Sequence, residues 1–500
     1  MFQDMIRIYF NKIAIIQSFY GAFFRYMQEF IDPFIIASEA FTSLENEKLV
    51  KTDPVQNLID YFEFLQFNYQ IAEKGAVGSQ KEIEKFVAQE CTRYAKALKN
   101  TLTMNPGEEN LDQYYAKIAR LMDVVARENH ETILDIKDEF GFHFDREGYV
   151  LAAETPRFSM YQVLPTKPGV EVDPNGKPIL IFHPFVLGPN ILAFLVGEGK
   201  SYVHAFANQG VPTYVRILKD ITTSEAVQQM TPEEDALDSQ YFCRLLNERH
   251  SRKVTINGFC QGGFMAILDI LSGALDGLVD SLITCVAPMD GTRSLALVEY
   301  LEHLPQRFRD LSYAYKRLSN GNFVVDGKVM SWVYKLKSME KEFPLVALFR
   351  DMGMTDENNN VFQMNKVAAA LNHWIVYDRN DLPVNITRLS FDSYTTPVTP
   401  DGELPVTMFG KKLNFRDFQE KGMQWLLCYA DKDDLVDRPA AIAPLDYIKE
   451  GIQVTVFPKG HGSIATSWSE ETSQCALHKT FDHKGKTYEG PVYWHLKRNG

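Results

Sequence analysis

Five hundred residues exceed what one ordinary hydrophobic core organises, so the chain is expected to form two structural units. Apolar residues make up 45% and charged residues 23%, a globular balance that excludes intrinsic disorder. The formal net charge of -13 leaves no basic excess to neutralise phosphates, so no nucleic-acid partner is expected; a local basic pocket could still receive an anionic substrate.

The apolar stretch Ile13 to Phe24 is preceded by Asp4, Arg7 and Lys12 and followed by no small-residue cleavage site, so it does not read as a secretory signal. It is also too short to span a bilayer. Ile8, Phe10, Ile15, Phe19, Phe23, Phe24 and Phe30 recur at three- and four-residue steps, which predicts a helix over Met5 to Phe34 with a break at Pro33. Further amphipathic helices are expected over Val55 to Tyr69, Gln80 to Leu102 and, after the loop 105–110, Leu111 to Phe140. Residues 1–155 therefore read as a helical bundle packing its own core. The alternative use of its aromatic first helix is as a docking face for a partner, membrane or hydrophobic particle.

From about Phe158 the pattern changes. Strands are expected at Ser159 to Leu164, Pro178 to Phe182, Thr213 to Leu218, Val254 to Asn257, Leu282 to Ala287, Trp425 to Tyr429 and Val454 to Phe457, with helical segments between them. Alternation of this kind predicts a mostly parallel sheet covered on both faces, over residues 156–500. The interval from Gly291 to about Phe409 breaks the rhythm and reads as a helical insertion or cap.

The segment Val254-Thr-Ile-Asn-Gly-Phe-Cys260-Gln-Gly-Gly263 carries the strongest chemical signal. A β-run enters a glycine-flanked cysteine and a helix-like stretch leaves it, the context of the G-x-S-x-G elbow of the α/β-hydrolase fold with sulfur in place of the serine hydroxyl. The glycines fit a tight turn in which side chains would collide with the neighbouring strand and helix. Read alone, Cys260 could equally be a buried structural cysteine beside packing glycines. The fold places its acid after a later strand and its histidine last. Both occur here in that order: Ala430-Asp-Lys-Asp-Asp-Leu435 follows one strand, and Gly460-His461-Gly462 follows the next. His461 is the expected general base, and an aspartate accepting from its Nδ1–H would fix the tautomer. Spacing alone does not choose among Asp431, Asp433, Asp434 and Asp437. The backbone N–H groups of Gln261 and Val186, with Phe185 next, are the expected oxyanion donors, each worth about 3 kcal/mol in the transition state. The other five cysteines, Cys91, Cys243, Cys285, Cys428 and Cys475, form no CxxC pair and no zinc-type cluster. Neither a disulfide framework nor a metal is expected, and a reducing, cytoplasmic compartment fits best.

These residues resemble the polyhydroxyalkanoate synthases and their hydrolase-fold relatives over about Pro156 to His461. Gly-Phe-Cys260-Gln-Gly-Gly is similar to the family's cysteine-containing lipase box, and Leu180 to Val186 with Ile191-Leu192 resembles the segment after the first core strand. Lys432-Asp-Asp434-Leu-Val resembles the acid loop and selects Asp434; Gly460-His461 matches the family's Gly-His. His373-Trp374, Phe409-Gly410 and Leu413-Asn-Phe415 are similar to the end of its cap region. The resemblance implies a polyester synthase in which Cys260 attacks a 3-hydroxyacyl-CoA and releases CoA, assisted by His461 and Asp434, with no cofactor. It also implies a homodimer or accessory subunit, and a granule surface served by residues 1–155. Four positions depart from the pattern: Leu435 where the family has His, Arg438 where it has Pro, and Leu187 and Ala193 where it has Asn and Asp. Leu218-Lys-Asp220 also stands where Trp-Arg-Asn is usual. The alternatives are a thioesterase, esterase or intracellular polyester depolymerase on the same scaffold, or a non-enzymatic granule-associated protein.

Overall fold

The periodic apolar face at the start of the chain becomes α1 (Phe2–Lys48), one helix of 47 residues in the computed structural model. The structure describes residues 2–48, 53–103, 107–295, 298, 311, 314–330, 343–353, 355–358 and 361–498. The break expected at Pro33 does not occur. A proline costs one intrahelical hydrogen bond, and α1 is held elsewhere by packing of Ile15, Phe19, Ala22 and Tyr26 into a core with Ile118, Leu121, Val125 and Leu348. The two segments expected next are one helix, α2 (Pro54–Thr103). Gly75 in its interior permits close approach: a Cβ there would lie 2.1 Å from the Phe343 ring. Residues 105 and 106 of the predicted loop fall outside the described residues, and Asn110 closes it with a capping box to Gln113. Then come α3 (Leu111–Asp123), a π-turn at Val124–Glu128 and α4 (Asn129–Asp135), in place of one regular helix. α1 buries one face only; Tyr9, Phe10, Tyr20 and Phe24 stay exposed. Among the described residues no helix is long and apolar enough to cross a membrane.

The division at 155 needs correction. The first compact unit runs to Asp138 and includes the described residues between 328 and 377, among them the helices Pro344–Gly353 and Lys366–Val376. The second unit holds residues 139–327, apart from short stretches, and 378–498. The insertion after Gly291 is thus shared between the units, and it is mixed rather than helical: it contains the strands Tyr315–Arg317, Phe323–Val325 and Leu382–Pro383 and further hairpins. Short runs flanked by glycine and asparagine carry too weak a period to be read as strands.

The second unit is built on eight strands: β1 (Tyr149–Glu154), β2 (Phe158–Val163), β3 (Ile179–Phe182), β4 (Thr213–Leu218), β5 (Val254–Phe259), β6 (Val279–Cys285), β7 (Gln424–Ala430) and β8 (Ile452–Phe457). Their spatial order is β1-β2-β4-β3-β5-β6-β7-β8. β1, β2 and β4 pair antiparallel, and every later neighbour pairs parallel. This is the α/β-hydrolase fold. The parallel strands are buried on both faces, which is why they read as continuous apolar runs. β1 escapes sequence reading because its pattern is only half-buried. Helices α5 (Tyr202–Ala207), α6 (Pro232–His250) and α7 (Gln261–Leu271) cross between the strands, and α8 (Val384–Thr395) belongs to the insertion.

A buried guanidinium ties β4 to α6. Arg216 lies 3.4 Å from the Phe182 ring centroid and 4.7 Å from that of Phe158, and bonds Ser239 at 2.7 Å and Asp235 at 3.0 Å. At the far edge, the hairpin Thr480–His483/Lys486–Glu489 closes on β8: Thr455 donates to the Glu489 carbonyl at 2.7 Å, and Gln453 bonds the Glu489 carboxylate at 3.0 Å. The same hairpin reaches the loop after β7, where His483 and Lys484 both bond Asp431.

Candidate active site

β5 runs into Cys260, and α7 begins at the next residue. Cys260 has φ 51° and ψ -125°, a conformation an L-residue tolerates only when its surroundings impose it. Two approaches impose it. A Cβ on Gly258 would sit 2.3 Å from the Cα of Gly263, and one on Gly262 would sit 2.5 Å from the carbonyl oxygen of Phe182. The N–H of Cys260 donates to the Cys285 carbonyl at 2.8 Å, so the turn is also tethered to β6. The nucleophile elbow read from the sequence is present.

The other two groups come from the loops after β7 and β8. His461 begins a short turn, and its Nδ1 bonds a carboxylate oxygen at 2.8 Å. That carboxylate is Asp433, not the Asp434 selected by resemblance. The Asp433 side chain is fully buried, and its second oxygen accepts from the N–H groups of Leu435 and Val436, each at 2.9 Å. Those two N–H groups fold the loop back onto residue 433 and turn its neighbour outward, so Asp434 is exposed. Asp431 and Asp437 are engaged elsewhere, with the C-terminal hairpin and with Ser294. No feature of the run Asp-Lys-Asp-Asp separates adjacent carboxylates; only the path of the backbone does.

Cys260 is the neighbour of His461 on the side away from Asp433. The Nε2 atom is buried, and the Cys260 sulfur is the polar group that acts on it. Burial works to lower the basicity of the imidazole. The Asp433 carboxylate and the Cys260 sulfur outweigh it and hold the His461 pKa well above the ordinary histidine value. The structure thus brings together Cys260 and His461 as expected, with Asp433 in the place given to Asp434. Cys260 is 7% exposed and His461 9%, so the group is closed to solvent in this conformation.

The oxyanion side departs from expectation. The Val186 N–H does not face an empty site: it donates to the side-chain oxygen of Gln261 at 3.1 Å. The Gln261 side-chain nitrogen donates in turn to the Ser390 hydroxyl on α8 at 2.6 Å. The backbone N–H of Gln261 stands at the first position of α7, where its own helix offers it no acceptor. Neither the side chain of Gln261 nor Ser390 carries a local sequence signal for this contact, since the two lie 129 positions apart. His183 fixes the loop that holds Val186. Its Nδ1 bonds the Pro184 carbonyl at 3.0 Å, and its Nε2 accepts from the Leu218 N–H at 3.2 Å. The two bonds set a neutral tautomer, and burial lowers the His183 pKa to about 4. His373 instead bonds the Ile133 carbonyl in the first unit. Among the described residues no His, Cys, Asp and Glu group has the arrangement to hold a metal ion.

No family model matches the chain, and no curated protein matches it. Among solved structures, a carboxylesterase of the thaumarchaeon Nitrososphaera gargenis is 13% identical, with 63% of this chain and 92% of that one covered at a TM-score of 0.36. DcsB in complex with its substrate analogue is 11% identical, covering 70% and 98% at 0.38. The carboxylesterase CesB of Bacillus subtilis is also 11% identical, covering 68% and 92% at 0.34. Similarity at this level carries no argument of its own; the fold stands on the strand order and the elbow.

Proposed function

We propose that this α/β-hydrolase-fold protein forms an acyl-enzyme on Cys260 from an ester or thioester and resolves it with water, as a thioesterase or esterase. The observation that carries the reading is the Asp433–His461 hydrogen bond of 2.8 Å beside a cysteine held in a strained elbow. His461 Nε2 takes the thiol proton, and the sulfur attacks the acyl carbon. The carbon–heteroatom bond to the leaving group breaks, and the imidazolium returns its proton to that group. Water then loses a proton to His461, bonds the acyl carbon and expels the sulfur, which is reprotonated. Asp433 holds the Nδ1–H tautomer and stabilises the imidazolium throughout. The N–H groups of Gln261 and Val186 receive the charge on the acyl oxygen.

A second reading replaces water with the 3-hydroxyl of another acyl group, giving polyester and free CoA. The low exposure of Cys260 and His461 favours it, because a site that excludes water protects a thioester from hydrolysis. The resemblance of the cysteine box to polyester synthases favours it as well. Incubation with 3-hydroxybutyryl-CoA tests both: thiol release with free hydroxy acid supports hydrolysis, and insoluble polymer supports transfer. Absence of any acyl adduct on Cys260 by mass spectrometry, across esters and thioesters of graded length, refutes the acyl-enzyme.

A further inference from the structure

The side chain of Gln261 does something that its backbone role does not require. Its carbonyl-type oxygen lies 3.1 Å from the nitrogen of Val186, where an acyl oxygen stabilised by that donor would have to sit. Its nitrogen bonds Ser390 Oγ at 2.6 Å. Ser390 is in turn fixed to its own helix, donating to the Ile386 carbonyl at 3.2 Å. Gln261 is 4% exposed and Ser390 6%, so neither bond is replaced by water in this conformation. A buried N–H left without an acceptor costs about 1–3 kcal/mol. Filling the position with an amide oxygen removes that penalty while no substrate is bound, and it also denies the position to a substrate.

Resting on the acyl-enzyme reading, we propose that Gln261 is a positioning residue whose side chain occupies the acyl-oxygen site as an internal stand-in for substrate. In this reading Ser390 couples its withdrawal to movement of α8. In the closed state the amide oxygen fills the site. When α8 shifts, the carboxamide loses its anchor, swings out and frees the Val186 N–H for the acyl oxygen. Access to sulfur and completion of the oxyanion site are then one event. The insertion gates chemistry through a single side chain, and an acyl group too small to displace α8 is a poor substrate even if it fits beside Cys260.

The test uses the full chain and two readouts. One is mass-mapped alkylation of Cys260 by iodoacetamide, which needs access but no oxyanion site. The other is pre-steady-state acylation by a 4-nitrophenyl ester. Ser390→Ala removes the anchor and is expected to speed both, on the order of fivefold for one lost hydrogen bond. Ser390→Thr, which keeps the hydroxyl, restores parental rates. Gln261→Asn, too short to span both partners, reproduces Ser390→Ala and stands in for it if that variant does not fold. Rates within twofold of the parent in both Ser390→Ala and Gln261→Asn overturn the proposal, as do rates that fall in step with melting temperature. A parent that is alkylated but never acylated refutes the acyl-enzyme reading instead, and the alkylation arm still decides whether α8 is latched through Gln261.

Discussion

Exchanging Asp433 for asparagine isolates the part of the geometry that sequence resemblance placed one residue away. The asparagine oxygen can keep the two backbone bonds from Leu435 and Val436 that Asp433 now makes at 2.9 Å. Its NH2 group then faces His461 Nδ1, where the carboxylate now accepts at 2.8 Å. A donor in that place forces the proton onto Nε2, which can no longer take one from Cys260. The comparable change in serine-histidine-aspartate enzymes lowers turnover by about four decades. With a thiol, which needs less help to ionise, we expect a loss of about 10³- to 10⁴-fold in kcat/KM, or about 4 to 5.5 kcal/mol at 1.36 kcal/mol per decade. Asp434→Asn, on an exposed side chain, should stay within about twofold. Cys260 acylation by a 4-nitrophenyl ester, with urea unfolding of each variant as the control, measures the difference. A larger loss in Asp434→Asn than in Asp433→Asn would refute the assignment of the acid.

Three further outcomes follow from the same geometry. Gly262→Ala puts a methyl group 2.5 Å from the Phe182 carbonyl oxygen, so the elbow must open; acylation should fall at least tenfold and the urea midpoint should drop. Arg216→Leu leaves Asp235 buried without its cation and should destabilise the chain by about 3–5 kcal/mol, read from equilibrium unfolding. Burial holds His183 and His204 at about 4 and His495 at about 3, below the usual 6.5. For a histidine whose folded pKa is depressed, the unfolded chain binds more protons in the intervening window. Stability is therefore whole above pH 6.5 and is lost as pH falls toward 4, by on the order of 3 kcal/mol per histidine. A melting temperature that does not change between pH 7 and pH 4.5 would contradict this.

Much of the second unit was legible because parallel strands buried on both faces announce themselves as apolar runs, and because a strained turn demands glycine at 258 and 262 whatever surrounds it. Cys260 and His461 were found by order and flanking residues. Asp433 was not, since the choice between adjacent carboxylates is made by two backbone N–H groups that no side-chain pattern encodes. Gln261 and Ser390 are 129 positions apart, a pairing made only by the path of the insertion. Pro33 misleads in the opposite sense, as a residue that usually interrupts a helix but here lies within α1.

The hairpin near the end of the chain grips β8 through Glu489 and the acid loop through Asp431, yet it contributes no group to the chemistry. Cys260 is framed by strands on both sides, whereas the imidazole and carboxylate hang from the last two strands of the sheet. The edge of the sheet that carries both groups is thus buttressed from outside by the hairpin, which ties the last strand and the acid loop into one corner of the unit.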